Sequence, residues 1–386
     1  MSDSKQVLSQ KTDWPQALIC GSLFAVFSFV YLYVFQRDVL EALHFSLAHG
    51  KTVFSALGSA VVITFVLLLI RWGLNRFLRL GGAVYALSYF PLFLVLGLLT
   101  DIGYGIYAST YHTNWGWLFP LLLLVYILVA ILVGKLFRTM RGFTVPLLTV
   151  TNSNLLIMLV LCLMTILIGN ANNTLHYELK SERLLREKSY SEALAVGIHA
   201  AEPTQTLTAL RAYALAHTGE MGEKLFNYPQ NFGAKGLFFP DDSLKTFRYT
   251  NDSVFNLLGV PLQKVNSVAG LLHDMCHQGT GSHVALDYYL SALLLDKKLD
   301  TFVKELSYFQ IMQEDLPLYY REAVVLWDKM HPDSVALSKD SLMLQRYGAY
   351  LENERQLSRE TFTAKKNRMH KDYGTTYWWY YNYGGE

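Results

Sequence analysis

Residues 115–134 have the sequence WGWLFPLLLLVYILVAILVG, which contains no charged side chain. A bilayer core about 30 Å thick is crossed by about 20 apolar residues of α-helix, because each residue adds about 1.5 Å. Four other stretches are apolar enough to cross in the same way. They lie at residues 17–35, 52–70, 83–100 and 145–169. The sequence therefore predicts a bundle of five transmembrane helices.

The fifth stretch is more polar than the others. Its strictly apolar part covers only residues 155–169, so a full-length span must include polar residues upstream. These are Thr149, Thr151, Asn152, Ser153 and Asn154. Polar side chains inside membrane bundles commonly bond to the backbone or to a neighbouring helix. We expect that arrangement here, with a polar ligand cavity as the alternative.

The composition divides the chain near residue 170. Its 52% hydrophobic residues and mean hydropathy of +0.21 are high for a soluble protein, whereas 17% charged residues are many for spanning helices alone. Residues 1–170 carry a net charge of +5, and the remainder carries −3. We predict a transmembrane domain at 1–170, a helical-repeat extracytoplasmic domain at 171–372 and an aromatic C-terminal tail at 373–386.

Basic residues in the short loops predict the orientation, because Lys and Arg are retained on the cytoplasmic side. One loop carries Arg71, Arg76 and Arg79, and another carries Lys135, Arg138 and Arg141. The connection at 101–114 carries neither Lys nor Arg. Five crossings then leave the N-terminus in the cytoplasm and the C-terminal domain outside. In a bacterial inner membrane, that domain is periplasmic.

The C-terminal part has the apolar period of short, paired helices. In residues 184–201, small residues and Tyr190 are spaced as in the second helix of a tetratricopeptide repeat. Gly219 suits a left-handed turn between helices, and residues 296–298 form a polar turn inside 285–306. The pattern predicts a tetratricopeptide-like array, with a generic helical bundle as the alternative. Either arrangement is all-α.

Several stretches together carry a resemblance to a family. They are YFPLFLVLGLLTDIGYG at 89–105, ALDYYLSALLLDKKLDTFV at 285–303 and LPLYYREAVVLW at 316–327. With the five spans, they resemble an uncharacterised family of multi-pass bacterial membrane proteins with a tetratricopeptide-like helical tail. The resemblance implies this architecture. It implies no activity, and it brings no functional residues.

A cluster of possible metal ligands lies in the stretch LLHDMCHQG. His273, Cys276 and His277 are three and four residues apart, so a helix places them on one face, and His283 follows nearby. Zinc accepts Cys and His ligands, but the spacing matches no common metal motif. We favour helix-end histidines beside a buried cysteine. The sequence therefore assigns no metal ligand and no cofactor.

Two carboxylates, Asp38 and Glu41, lie close to the membrane in the first external loop. Membrane glycosyltransferases place such a group where it acts as a general base on the acceptor. No further acidic motif accompanies the pair, so a solvated amphipathic loop is the favoured interpretation. No residue is assigned a catalytic role.

The C-terminal tail concentrates aromatic side chains after a basic run. They are Tyr373, Tyr377, Trp378, Trp379, Tyr380, Tyr381 and Tyr383. Tyr and Trp combine a large apolar area with a polar tip, which favours partner interfaces and the lipid headgroup layer. The tail either docks on a partner or the membrane, or caps the last helical pair.

These observations favour a non-enzymatic membrane scaffold. No span has an ionisable residue near its centre, which argues against pumps and ion-coupled transporters. No basic stripe of the density that nucleic acid requires is present. We expect the protein to be integral to the bilayer and to bind another envelope protein. The alternative is a membrane enzyme, similar to a glycosyltransferase, that acts on a lipid-linked envelope substrate.

Overall fold

The computed structural model describes residues 2–78, 80–103, 114–139, 146–198, 202–240, 248–261, 268–311, 316–333 and 335–384. Throughout these residues the regular secondary structure is helical, and none of them forms a strand. The predicted all-α class is confirmed. Packing contacts separate an N-terminal unit that ends at His176 from a C-terminal unit that begins at Tyr177.

The described residues of the N-terminal unit form six α-helices, one π-helical turn and one 3₁₀ helix. The helices are α1 (Ser2–Val30), α2 (Arg37–Ala48), α3 (Ala56–Leu78), α4 (Phe90–Thr100), α5 (Trp115–Thr139) and α6 (Leu147–Ile168). A π-helical turn, Tyr31–Phe35, continues α1, and a 3₁₀ helix, Gly82–Tyr89, leads into α4.

Five helical segments in the described part of the chain are long and apolar enough to cross a membrane. They are Trp14–Phe35, Ala56–Leu74, Gly82–Thr100, Trp115–Lys135 and Leu147–Ile168. Four of them carry exposed large apolar side chains, such as Leu128 at 61% exposure and Leu156 at 63%, whereas more than half of Gly82–Thr100 is buried. Such extensive apolar exposure is unfavourable in water and favourable in lipid. The prediction of five spanning-length helices is confirmed, and this pattern is typical of a membrane protein.

Three of the five polar residues, Thr151, Ser153 and Asn154, bond to backbone groups, as expected. Asn154 accepts a hydrogen bond from the Ala86 backbone N–H at 2.7 Å and donates to the Gly82 carbonyl at 2.8 Å. Thr151 and Ser153 each donate to the carbonyl four residues earlier. Asn154 thus bonds to two backbone groups of the 3₁₀ segment, which lacks the regular α-helical pairing. Inside a bilayer no water is available, so such backbone groups need a partner within the protein.

Part of the predicted orientation signal lies outside the described residues. This applies to Arg79, Arg141 and the stretch 104–113, and to the side chains of Arg76 and Arg138. The orientation therefore stays a prediction.

The chain continues through twelve further α-helices in its described residues. They are α7 (Asn173–Arg186), α8 (Tyr190–Ala195), α9 (Gln205–Thr218), α10 (Met221–Lys224), α11 (Asn251–Leu258), α12 (Val268–Gln278), α13 (His283–Leu295), α14 (Leu299–Tyr308), α15 (Leu318–Met330), α16 (Ser341–Gln356), α17 (Phe362–Tyr373) and α18 (Tyr377–Tyr383). From α12 to α18, consecutive helices pack against each other, and α13 lies in the centre of the core with ten buried residues.

Two predicted turns are confirmed and one predicted helix is wrong. Gly219 ends α9 in the left-handed conformation, at φ +67°, and residues 296–298 separate α13 from α14. The stretch 184–201 is not a single helix, because α7 ends at Arg186 and α8 begins at Tyr190. Lys188 takes φ +58° there, a conformation that its good helix propensity does not predict.

Candidate functional site

Three side chains from α12 and α14 lie close together in the C-terminal unit. His273 and His277 lie one turn apart on α12, and Glu305 lies on α14. One ligand atom from each of the three lies within 4.8 Å of the others. We call these three residues the His–Glu cluster. Helical spacing brings the two histidines together, and the packing of α14 brings the carboxylate.

Glu305 and His277 form the closest contact of the cluster. The His277 Nε2 and Glu305 Oε2 atoms are 2.8 Å apart, and the side chains are 25% and 10% exposed. Burial, with the nearby charge of Glu305, raises the pKa of Tyr289 on the intervening helix α13. A buried carboxylate requires a partner such as His277, because an unpaired charge is costly away from water.

His273 forms the outer edge of the cluster. Its Nδ1 atom lies 3.1 Å from Asp274 Oδ1, and its side chain is 44% exposed. The His273 and His277 rings stack with centroids 4.1 Å apart, and Tyr308 covers the other face of His277 at 4.3 Å. Aromatic rings thus hold His277 in place while His273 stays open to solvent.

Of the predicted His–Cys cluster, His273 and His277 lie together, whereas Cys276 and His283 do not join them. Cys276 is half-buried against the core of the C-terminal unit, and His283 is exposed at the start of α13. Burial, with the nearby charge of Glu305, raises the pKa of the Cys276 thiol to about 11. At neutral pH the free thiol is therefore protonated, and its sulfur is not among the ligand atoms that converge in the cluster. The favoured interpretation of a buried cysteine agrees with this position.

Sequence reasoning missed Glu305, although α14 contains a signal for it. The apolar face of this helix includes Phe302, Val303 and Leu306, and Glu305 lies on the same buried side. A carboxylate on an apolar helical face indicates a partner from another element. The partner itself is 28 residues away, so spacing alone does not reveal it.

Four of the seven tail aromatics are buried in the C-terminal unit. Tyr377, Trp378, Tyr380 and Tyr383 form the inner face of α18. The Tyr380 hydroxyl donates to the Leu295 carbonyl at 2.7 Å. These four rings are therefore buried against the helices of the C-terminal unit, as in the capping alternative. Docking through them would require α18 to leave the core. The hydrophobic contact area of the rings explains why they are inside.

The other three tail aromatics are half-exposed. The Trp379 indole donates to the Lys366 carbonyl at 3.3 Å, and the Tyr373 hydroxyl accepts from Asn353 at 2.6 Å. Tyr381 packs beside the Tyr377 ring. These three rings are accessible from outside the unit, so docking through them stays a prediction.

Glu322 on α15 holds the start of α18. It is 1% exposed, and its Oε2 atom accepts from the Tyr377 backbone N–H at 2.7 Å. Its own carbonyl accepts from the Trp378 indole N–H at 2.8 Å. Burial raises the pKa of Glu322 to about 7. Glu322 was not among the residues predicted from the sequence.

Asp38 and Glu41 lie on a helix instead of a solvated loop. They belong to α2, whose residues Val39, Leu40, Glu41 and Ala42 are buried. The amphipathic loop interpretation is therefore wrong for this segment, since packing against the neighbouring helices orders it. Asp38 and Glu41 are three residues apart and so share one side of the helix.

Comparison with known families places the chain. It matches the family of unknown function DUF6057 over residues 16–257 and 242–384. The chain belongs to this family, which confirms the expected membership of an uncharacterised family. No curated protein and no solved structure matches the chain.

Proposed function

We propose that this protein is an integral protein of a bacterial inner membrane that presents a tetratricopeptide-like domain in the periplasm, where it binds another envelope protein. The five spanning-length helices and the separate helical unit that follows them support this proposal. The absence of ionisable residues near the span centres favours an anchor over a transport pathway.

The periplasmic location rests on the basic loops. Six Lys and Arg residues lie at 71–79 and 135–141, at the C-terminal ends of α3 and α5 and just beyond them, and residues 101–114 have none. Positively charged short loops are retained in the cytoplasm, so an odd number of crossings exports the C-terminal unit.

The tetratricopeptide-like architecture rests on helical pairs joined by short turns. α9 and α10 are joined through Gly219, and α13 and α14 through residues 296–298. In repeat proteins each pair buries one face on its neighbours and leaves another face free for ligands. Such a surface suits an extended protein partner.

The observation that carries the binding proposal is the two-sided character of α18. Its inner rings anchor it in the core, while Trp379 and Tyr381 are half-exposed on the outside. Aromatic residues held rigidly before binding lose little conformational entropy, and Trp and Tyr are enriched among residues that dominate binding energy.

The test is affinity purification of the full-length protein from detergent-solubilised membranes. We expect a stoichiometric envelope protein that the Trp379→Ala/Tyr381→Ala variant no longer recovers. Leu342→Ala is the matched control, because Leu342 is an exposed apolar residue of the same unit, on α16. Equal recovery with the aromatic variant, or a preparation without a partner, would contradict the proposal.

A membrane enzyme is the second candidate, and the burial of Glu41 favours it. A buried carboxylate is uncommon in proteins, which makes Glu41 a candidate for a functional role. Here Glu41 would act as the base on a lipid-linked envelope substrate. The variant Asp38→Asn/Glu41→Gln should then alter envelope glycans, and an unchanged glycan profile would exclude this candidate.

A further inference from the structure

We propose that the His–Glu cluster is a binding site for a divalent transition-metal ion, with His273, His277 and Glu305 as its three protein ligands. This site is independent of the proposed partner binding, since none of its residues belongs to α18. Among the described residues, these three form the group whose ligand atoms converge closely enough for one ion.

The ligand types match the chemistry of such an ion. Two imidazoles and one carboxylate form the protein ligand set of several zinc sites, with a water molecule in the fourth position. Metal–ligand distances of about 2.0–2.2 Å place tetrahedral ligand atoms about 3.3–3.6 Å apart. The cluster spans 4.8 Å at most, so shifts of about 1 Å would complete the coordination. His273, being half-exposed, is free to make the largest shift.

A neighbouring residue orients one of the ligands as in known metal sites. Asp274 lies 3.1 Å from His273 Nδ1, which favours a proton on that nitrogen and leaves Nε2 as the ligand atom. Metal-binding histidines commonly donate their second ring N–H to a carboxylate. The contact between His273 and Asp274 is of this kind.

Exposure determines what kind of site this is. The His273 and His277 side chains are 44% and 25% exposed, so the site lies at the surface, and three protein ligands leave a coordination position for water. A structural zinc site is closed by four protein ligands, whereas three ligands and an open position are typical of sites that bind a further molecule. Cys276 is a neighbour of this site and not one of its ligands, because its sulfur is not among the converging ligand atoms.

The experiment measures zinc binding by the full-length protein in detergent, purified without a polyhistidine tag. After treatment with a chelator, the protein is titrated with Zn²⁺ in competition with a chromophoric chelator. We expect one zinc ion per chain. His277→Ala and Glu305→Gln should weaken zinc binding about a hundredfold or more, and Asp274→Asn, which alters only a supporting contact, about tenfold to a hundredfold.

Matched controls separate the cluster from its neighbours. Cys276→Ser and His283→Ala should keep the wild-type zinc affinity, because neither side chain is a ligand. His273→Ala removes a ligand without disturbing the core, since this side chain is half-exposed. Circular dichroism checks that the variant keeps its helix content. Wild-type protein that binds no zinc, or a His273→Ala variant with unchanged affinity, would overturn the proposal.

Cobalt provides an independent readout of the ligand set. Co²⁺ bound in place of zinc should give visible d–d absorption without a thiolate charge-transfer band, since all protein ligands are nitrogen or oxygen. A thiolate band that disappears in Cys276→Ser would show that the cysteine coordinates the ion, and the proposed ligand set would then be wrong.

Discussion

At the scale of single residues, Glu322 combines a buried position with two contacts to α18. Its carboxylate accepts the Tyr377 N–H, but its Oε1 atom has no hydrogen-bond partner among the described residues. Desolvation disfavours the charged form, which is why the pKa of Glu322 rises from 4.5 to about 7.

This shift predicts that the C-terminal unit becomes less stable as pH rises. Between pH 4.5 and 7 the folded state binds the Glu322 proton more tightly than the unfolded state does, so this contribution to stability is present at low pH and is lost through pH 7. The loss between pH 5 and pH 8 is about 2 kcal/mol. Glu322→Gln should remove this component, as measured by thermal unfolding of the full-length protein at both pH values. A variant with the same pH dependence as wild type would refute the assignment.

Two glycines should respond to alanine substitution with opposite signs. Gly219 has φ +67°, where a Cβ atom strains the backbone, so Gly219→Ala should destabilise the unit by about 1 kcal/mol. Gly348 lies inside α16 with open space around it and an ordinary helical φ. Gly348→Ala should therefore stabilise by about 0.5–1 kcal/mol. Denaturant midpoints of the two variants check both signs, and equal shifts would contradict the backbone explanation.

At the scale of helices, a shared C-terminal motif explains how the C-terminal unit divides into short elements. In each case the motif pairs two N–H groups after the helix with carbonyls of its last turn. The motif ends six helices, each with one residue in the left-handed conformation. The helices are α7, α9, α11, α12, α13 and α14, and the residues are, respectively, Lys188, Gly219, Gly259, Gly279, Lys297 and Gln310. Glycine is expected at this position, but three of these helices end on a longer side chain. Those three ends are the hardest to predict.

The helix α18 should contribute strongly to stability through its inner face. Trp378 is almost completely buried and donates to the Glu322 carbonyl. Trp378→Ala should cost about 3–5 kcal/mol, because it leaves a large cavity in the core. Tyr381→Ala, on the outer side of the same helix, should cost about 1 kcal/mol or less. Chemical denaturation of the full-length variants distinguishes the two; similar losses would mean that α18 is not anchored through its inner face.

At the scale of the whole molecule, the five spans and the basic loops predict which regions a protease reaches. If the C-terminal unit is periplasmic, protease added to intact spheroplasts should remove it, while an epitope at the N-terminus stays protected. Lysed cells are the control, in which both are cut. A C-terminal unit that stays intact until lysis would reverse the proposed orientation.

Local sequence was sufficient for the five spans, the helical class and the turns at Gly219 and 296–298. Apolar length, apolar period and glycine at a helix end are properties of neighbouring residues, so no distant contact is needed to recognise them. The two histidines of the cluster were visible for the same reason, since a helical turn brings residues four apart onto one face.

Tertiary packing, in contrast, brought Glu305 to His277, placed Glu322 beneath α18 and buried four tail aromatics. The partners in these contacts are 28 to 85 residues apart in the sequence. Their pairing depends on how several helices share one core, because a buried polar group is stable only where another element supplies its hydrogen bonds. The identity of each residue was visible in the chain, while its neighbours were set by the fold.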